Sequence, residues 1–161
     1  MTEAQAPSRA WVAERFEGIV SELRQGRDAA SLWAEASGHV DEWLGFSSAS
    51  GTRALSLLVE MQCALTGDGP TVVMHAVRQM LGAGQQEYSG ESNAFEQFEQ
   101  AGAALGITAA QVLRVYAHKH AAGITHWAAG VMSQREDVTG RVLDLMVYLV
   151  LDQLMAEAGG L

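Results

Sequence analysis

The sequence contains one almost uninterrupted apolar run, RVLDLMVYLVLD, at residues 141–152. At helical spacing its apolar side chains cover nearly the whole circumference, which predicts a helix surrounded by other helices. Polar and charged residues mark one line along this helix at intervals of three or four: Asp137, Arg141, Asp144, Tyr148 and Asp152. A buried carboxylate such as Asp144 is costly without a partner, so it predicts either a salt bridge between helices or a ligand or metal site.

Helical patterns separated by glycine turns fill the rest of the chain. Thr108 and Gln111 have the spacing of a capping box, which predicts the start of a long helix that fades near Gly130. The last helix is expected from residue 136 or 137 to about residue 157. Further helices are predicted at residues 8–25, 28–36, 40–44, 52–66, 70 to 82 or 84, and 93–105. Because strand-like alternation is absent from the sequence, the pattern predicts an all-α multi-helix bundle.

The length and composition of the chain indicate a folded protein. A chain of 161 residues, 48% of them hydrophobic, can bury a core as one domain or as one domain with an extension. The stretch SSASG at residues 47–51 is of low complexity and predicts a linker. We therefore expect an N-terminal helical extension at residues 1–51 and a helical-bundle core at residues 52–161, with one single domain as the alternative.

The net charge of the chain argues against duplex nucleic acid as a partner. There are 10 Lys and Arg residues against 19 Asp and Glu residues, a net charge of −9, whereas binding to duplex nucleic acid requires clustered cations. The single Cys63 cannot form an intramolecular disulfide. The sequence has no signal-peptide pattern and no apolar stretch of the roughly 20 residues needed to span a bilayer. We expect a cytoplasmic protein with no membrane association.

Lys119 is the first candidate partner of Asp144. The two residues lie on consecutive predicted helices, at similar distances from the short loop between them, so antiparallel packing brings them together. Lys119 then either neutralises Asp144 in a structural salt bridge or holds a phosphate group. The sequence leaves both interpretations open.

Two other sets of side chains have metal-binding chemistry. Glu96 and Glu99 share one helix face and can present oxygens to a divalent cation, although such pairs also occur on solvated surfaces. The three histidines at positions 118, 120 and 126 lack the i, i+4 spacing of a helical zinc site, so zinc is not expected. The sequence has neither a Gly-x-Ser-x-Gly nor a Gly-x-x-x-x-Gly-Lys motif.

Four short motifs together resemble one known family. They are EYSG at residues 87–90, NAFEQF at residues 93–98, Lys119, and VLDLMVY at residues 142–148. The pattern is similar to nucleotide modification associated domain 1, a small helical family common in phages and related to the MazG-like all-α nucleotide pyrophosphohydrolases. The resemblance covers about residues 75–155.

The resemblance implies a MazG-like core that binds or hydrolyses a nucleoside triphosphate or a related nucleotide with Mg²⁺. It implies catalytic roles for Lys119 and Asp144. The candidate nucleotide contacts are Tyr88, Phe95, Phe98, Arg141 and Tyr148. The candidate Mg²⁺ ligands are Glu87, Glu96, Glu99 and Asp144, with Glu91 and Glu136 as further carboxylates.

The sequence also departs from the family pattern. Gln97 stands where the family has Asn, His118 where it has Asp, and Arg141 where a MazG-like motif has Glu. Fewer carboxylates mean fewer Mg²⁺ ligands, so nucleotide binding without hydrolysis stays open.

Two expectations concern protein partners. The alternative to a nucleotide function is a non-catalytic acidic helical protein, a phage-type modulator that docks on a protein partner. A homo-oligomer is also expected, with the tryptophan-bearing N-terminal helices at its interface.

Overall fold

A computed structural model of the chain describes residues 28–88, 93–131 and 136–159, without the side chains of Ser48 and of residues 84–88. These residues form six helices, listed here in chain order: α1 (Ala29–Leu44), α2 (Ser48–Thr66), α3 (Pro70–Tyr88), α4 (Glu96–Leu105), α5 (Ala109–Ala128) and α6 (Val138–Gly159). The prediction of an all-α multi-helix bundle is confirmed. The helix predicted at residues 8–25 lies outside the described residues.

Local hydrogen bonds explain where several helices begin and end. The Asp28 carboxylate accepts a hydrogen bond from the Ser31 backbone N–H, which caps α1. The capping box predicted before α5 is confirmed, since the Thr108 hydroxyl accepts from the Gln111 N–H and the Gln111 side chain accepts from the Thr108 N–H. Gly106 ends α4 in the left-handed region at φ 70°, a conformation that favours glycine.

Helix α6 is the buried helix that the apolar run predicted. It packs against α2, α3 and α5. Its fully or nearly fully buried side chains are Val138, Val142, Leu145, Met146, Leu149 and Leu151. Because neighbours surround it on several sides, α6 fixes the relative positions of the helices that carry the other polar groups discussed below. None of the helices in the described part of the chain is long and apolar enough to cross a membrane.

The N-terminal part of the described structure differs from the sequence-based expectation. Helix α1 runs without interruption through Gly38, where the sequence predicted a break. The stretch at residues 47–51 is not a linker, because Ser47 occupies the N-cap position of α2 and the next residues form its first turn. Ser50 in that turn donates a hydrogen bond to Glu42 on α1. The domain boundary predicted at residue 51 therefore falls inside a helix that packs closely against α1.

The tryptophans of α1 pack inside the chain. Trp33 and Trp43 are almost fully buried, and the Trp33 indole N–H donates to the Thr125 hydroxyl of α5 at 3.2 Å. These two side chains are therefore not available for the oligomer interface that the sequence suggested. Trp11, the remaining N-terminal tryptophan, lies outside the described residues.

A buried ion pair connects α1, α5 and α6. Arg114 lies 2.7 Å from Asp152, and the Trp43 indole N–H donates to the same carboxylate at 2.8 Å. The guanidinium also stacks over the ring of Phe46, 3.8 Å from its centroid. Asp152, one of the charges on the polar line of α6, is thus satisfied by a structural salt bridge.

Candidate functional site

A cavity of about 550 Å³ opens between α3, α4, α5 and α6. This volume lies within the range of sites that bind small molecules, roughly 300–1,000 Å³. Four of the residues that the sequence singled out line it: Phe98, Lys119, Asp144 and Tyr148. Three polar or aromatic residues that were not predicted as site residues also line it: Gln97, Tyr116 and His120. The cavity therefore gathers groups from the two helices on which the sequence placed Lys119 and Asp144.

One wall of the cavity is aromatic. Tyr116 and Tyr148 stack with ring centroids 6.2 Å apart and planes 19° apart. The buried ring of Phe98 meets both tyrosines edge to face, at 6.3 and 6.5 Å. Such contacts hold the rings in fixed orientations. Tyr116 stays 44% exposed, so its ring can be reached by a ligand.

A cluster of ionisable groups lies next to the aromatic wall. His120 Nδ1 is 3.5 Å from Asp144 Oδ2, and Glu136, two residues before α6, joins them. One ligating atom from each of the three residues lies within 4.8 Å of the other two. We call these three residues the carboxyl–imidazole cluster. Packing of α5 against α6 brings His120 beside Asp144, whereas the sequence predicted Lys119 as its partner.

The surroundings of Asp144 make its negative charge unfavourable. Burial, together with a hydrogen bond with Glu136 and the charge of Glu136, raises the pKa of this carboxyl to about 6. Lys119 and Arg141 oppose the shift because their positive charges favour the ionised form. No ion pair joins Lys119 directly to Asp144 in the part of the chain that the structure describes. Lys119 therefore lowers the pKa of Asp144 through the Coulombic effect of its charge and not through an ion pair.

The surroundings of His120 favour the neutral form of its imidazole. Burial lowers the pKa of its imidazole, and the charges of Lys119 and Arg141 lower it too, while Glu136 raises it. The residue is only 6% exposed, and its buried Nδ1 has no hydrogen-bond partner among the described residues. A buried polar atom in this state is rare in folded proteins and needs an explanation.

Arg141 interacts with the carboxyl–imidazole cluster through Glu136. Its guanidinium lies 3.7 Å from the Glu136 carboxylate. The side chain crosses α5 at Gly123, where an added Cβ would come within 2.7 Å of the Arg141 Cζ atom. Gly123 therefore leaves the space that this arginine needs. Arg141 does not line the cavity itself, so its predicted role as a nucleotide contact is not supported by its position.

The other predicted site residues are dispersed. Glu96 accepts a hydrogen bond from Gln100 on its own helix, and Glu99 accepts one from Asn93. Phe95 packs against the hydrophobic core at the start of α4 and does not line the cavity. The side chains of Glu87 and Tyr88, and the whole of Glu91, lie outside the described residues.

The described residues form only part of the predicted Mg²⁺ site, since Glu136 meets Asp144 but the side chain of Glu87 lies outside them. Mg²⁺ is normally held by oxygen ligands in octahedral geometry. Of the predicted carboxylates, neither Glu96 nor Glu99 joins Asp144 in the cavity. The groups that do meet Asp144 include an imidazole nitrogen, which is a ligand typical of transition metals.

The sequence contained a weak signal for the residues that were missed. Tyr116 and His120 lie four residues apart on α5, as Asp144 and Tyr148 do on α6, so each pair shares one helix face. Which faces would meet depends on the rotation of both helices, and the pattern alone does not specify that rotation.

A second cavity of about 290 Å³ lies beside Trp43 and Asp152. Its carboxylate is already paired with Arg114, which leaves the larger cavity as the better candidate. No protein-family model, curated protein or solved structure matches this chain. The functional interpretation therefore depends on the geometry of the site.

Proposed function

We propose that the chain binds a nucleoside triphosphate or a related nucleotide in the larger cavity, and hydrolyses its phosphate chain next to the carboxyl–imidazole cluster. The observation that carries the proposal is the convergence of Tyr116, Lys119 and Asp144 on one cavity of about 550 Å³. An aromatic ring, a cation and a carboxylate with a shifted pKa are the groups that base stacking, phosphate binding and phosphate chemistry require.

The base would stack on Tyr116. The two tyrosine rings are already in contact at 6.2 Å, so a base binds against the exposed ring rather than between the pair. Contacts with Phe98 and Tyr148 fix the orientation of the Tyr116 ring, which reduces the entropy lost when the ligand binds.

The phosphates would lie at Lys119. This side chain is exposed, lines the cavity and lies one residue before His120, so a phosphate bound to it is close to the cluster. In a chain with a net charge of −9, a local cation is needed to attract an anionic ligand. Lys119 and Arg141 supply positive charge at this place.

Asp144 is the group on which hydrolysis should depend. Its pKa of about 6 means that it is largely ionised at pH 7 and exchanges its proton in the neutral range. Ionisable groups with such shifts in a cavity are typical of catalytic sites.

Calorimetric titration with ribonucleoside and deoxynucleoside triphosphates, and with the matching nucleosides, tests the binding part. We expect wild type to bind a triphosphate, and Lys119→Gln to weaken that binding by about 10-fold or more while affecting the nucleoside little. His118→Gln is the matched control, because this exposed histidine is adjacent to Lys119 but does not line the cavity.

Release of pyrophosphate or phosphate in the same samples tests the hydrolytic part. We expect Asp144→Asn to abolish release, and the His118→Gln control to retain it. Absence of binding across the whole panel would contradict the proposal. Binding to wild type and to Lys119→Gln with equal affinity would place the ligand elsewhere.

A further inference from the structure

His120 has a buried nitrogen that no described residue satisfies with a hydrogen bond. The residue is 6% exposed, and Nδ1 has no hydrogen-bond partner among the described residues. Leaving a buried polar atom unpaired is unfavourable, so such atoms usually face a water molecule, an ion or a ligand. Nδ1 points at Asp144 from 3.5 Å without forming a hydrogen bond.

The geometry around Nδ1 resembles that of a metal site. Two atoms that each lie about 2.0–2.1 Å from one ion in tetrahedral geometry are about 3.4 Å apart. The distance of 3.5 Å between His120 Nδ1 and Asp144 Oδ2 is close to this value. Glu136 provides a third ligand, and one ligand atom from each of the three residues lies within 4.8 Å of those of the other two. Small side-chain rotations are then enough to bring them around one ion.

We propose that His120 Nδ1, Glu136 and Asp144 bind a divalent transition-metal ion in preference to Mg²⁺. One imidazole nitrogen with two carboxylates is a donor set that suits transition metals, whereas Mg²⁺ favours oxygen ligands alone and keeps several waters. Three protein ligands leave at least one coordination position open, as in catalytic zinc sites. Two of the three ligands also line the larger cavity, so the open position is next to bound phosphates.

The neighbouring cations, Arg141 and Lys119, do not replace a bound metal ion. Arg141 lies 3.7 Å from Glu136, and Lys119 lines the cavity beside the cluster. Both offset the charge of the carboxylates, yet neither forms a hydrogen bond with His120 Nδ1. None of the described residues satisfies this nitrogen, whereas an ion bound between the three side chains would. A bound dication also offsets the two negative charges of Glu136 and Asp144, which reduces their repulsion of an anionic phosphate.

Metal binding does not depend on the proposed nucleotide function, since the three ligands belong to the chain itself. Only the role of the ion in hydrolysis rests on that function. A measurement with metal alone therefore distinguishes the two proposals. If the chain does not bind nucleotides, the proposal of a metal site still holds. If it does not bind metal ions, the proposal of a nucleotide site still holds.

The test uses the full chain after treatment with a chelator. Zn²⁺, Mn²⁺ and Mg²⁺ are titrated separately by calorimetry, without nucleotide. The imidazole ¹H–¹⁵N resonances are then recorded with and without Zn²⁺. We expect one Zn²⁺ or Mn²⁺ ion per chain, bound at least 10-fold more tightly than Mg²⁺, and a large shift of the His120 Nδ1 resonance. His118, which is exposed on the same helix, should keep its resonances.

Two variants complete the test. His120→Gln should lose tight binding of Zn²⁺ and Mn²⁺, whereas His118→Gln should retain it. Because His120 is buried, Glu136→Gln at a partly exposed position serves as a second variant that does not disturb the core. Mg²⁺ binding as tight as that of Zn²⁺ and Mn²⁺, or Zn²⁺ binding that leaves the His120 resonance unchanged, would overturn the proposal.

Discussion

Arg114 Nη1 lies 2.7 Å from Asp152 Oδ1, with only 8% and 14% of the two side chains exposed. Removing one partner of a buried pair leaves the other charge without compensation, which typically costs about 3–5 kcal/mol. We expect Asp152→Asn to lower the free energy of unfolding by about that amount, measured by urea denaturation.

Arg53 and Glu35 provide the control for this prediction. They form a surface ion pair of 3.9 Å, and such pairs contribute about 0–1 kcal/mol. Arg53→Met should therefore change the free energy of unfolding by less than about 1 kcal/mol. Equal losses for Asp152→Asn and Arg53→Met would show that the buried pair has no special role.

The raised pKa of Asp144 predicts a pH dependence of stability. An aspartate in the unfolded chain titrates near 3.8, and in the folded chain the pKa of Asp144 is about 6. Between these values the folded state binds more protons, so this carboxyl makes the free energy of unfolding fall as pH rises from about 4 to above about 6. His120 acts in the opposite direction, because its lowered pKa reduces stability as pH falls below 6.5.

Comparison with Asp144→Asn isolates the contribution of the aspartate. Measured in a chelating buffer, the variant should gain stability relative to wild type when pH increases from 4 to 7. A stability difference between the two proteins that is the same at every pH would contradict the assignment of the raised pKa to Asp144.

Tyr116 should contribute to nucleotide affinity but little to folding. Stacking of a base on an aromatic side chain is worth about 1–3 kcal/mol, so Tyr116→Ala should weaken nucleotide binding by about 10-fold or more. Val115 is the matched control, because it is exposed on the neighbouring position of α5 and does not line the cavity. Val115→Ala should leave affinity unchanged, as measured by calorimetric titration. A similar affinity for both variants would argue against base stacking on this ring.

Gly123 should be required for the position of Arg141. A Cβ at this residue would collide with the guanidinium, so Gly123→Ala should displace it from Glu136. Loss of this nearby positive charge should raise the pKa of Asp144 above about 6, as measured by NMR titration of its carboxyl carbon. Gly38→Ala is the control, since nothing lies within 4 Å of its added Cβ. It should leave that pKa unchanged and stabilise α1 by about 0.5–1 kcal/mol.

Local sequence features predicted the parts of the fold that depend on local interactions. The apolar run around Leu145 identified the buried helix, and the capping box at Thr108 identified the start of α5. Gly38 misled the prediction, because tertiary packing of α1 outweighs the low helix propensity of one glycine. The serines before Gly51 misled it for the same reason, since the helix begins at Ser48 and Ser50 donates a hydrogen bond to Glu42 of α1.

The composition of the site depended on contacts between distant residues. Asp144 was identified from its own surroundings, because an unpaired charge in an apolar helix is a local anomaly. The imidazole beside Asp144, His120, and the partner of Asp152, Arg114, come from α5. Lys119 and His120 are neighbours in sequence but point in different directions from the helix, and only the rotation of α5 against α6 decides which one meets Asp144.

A crystal structure of the chain with a non-hydrolysable nucleoside triphosphate tests most directly whether the larger cavity is a nucleotide site. We predict ligand density in this cavity, with the base against Tyr116 and a phosphate oxygen within hydrogen-bonding distance of Lys119 Nζ. Ligand density in the smaller cavity beside Trp43, or no bound nucleotide at a concentration that saturates the calorimetric signal, would contradict it.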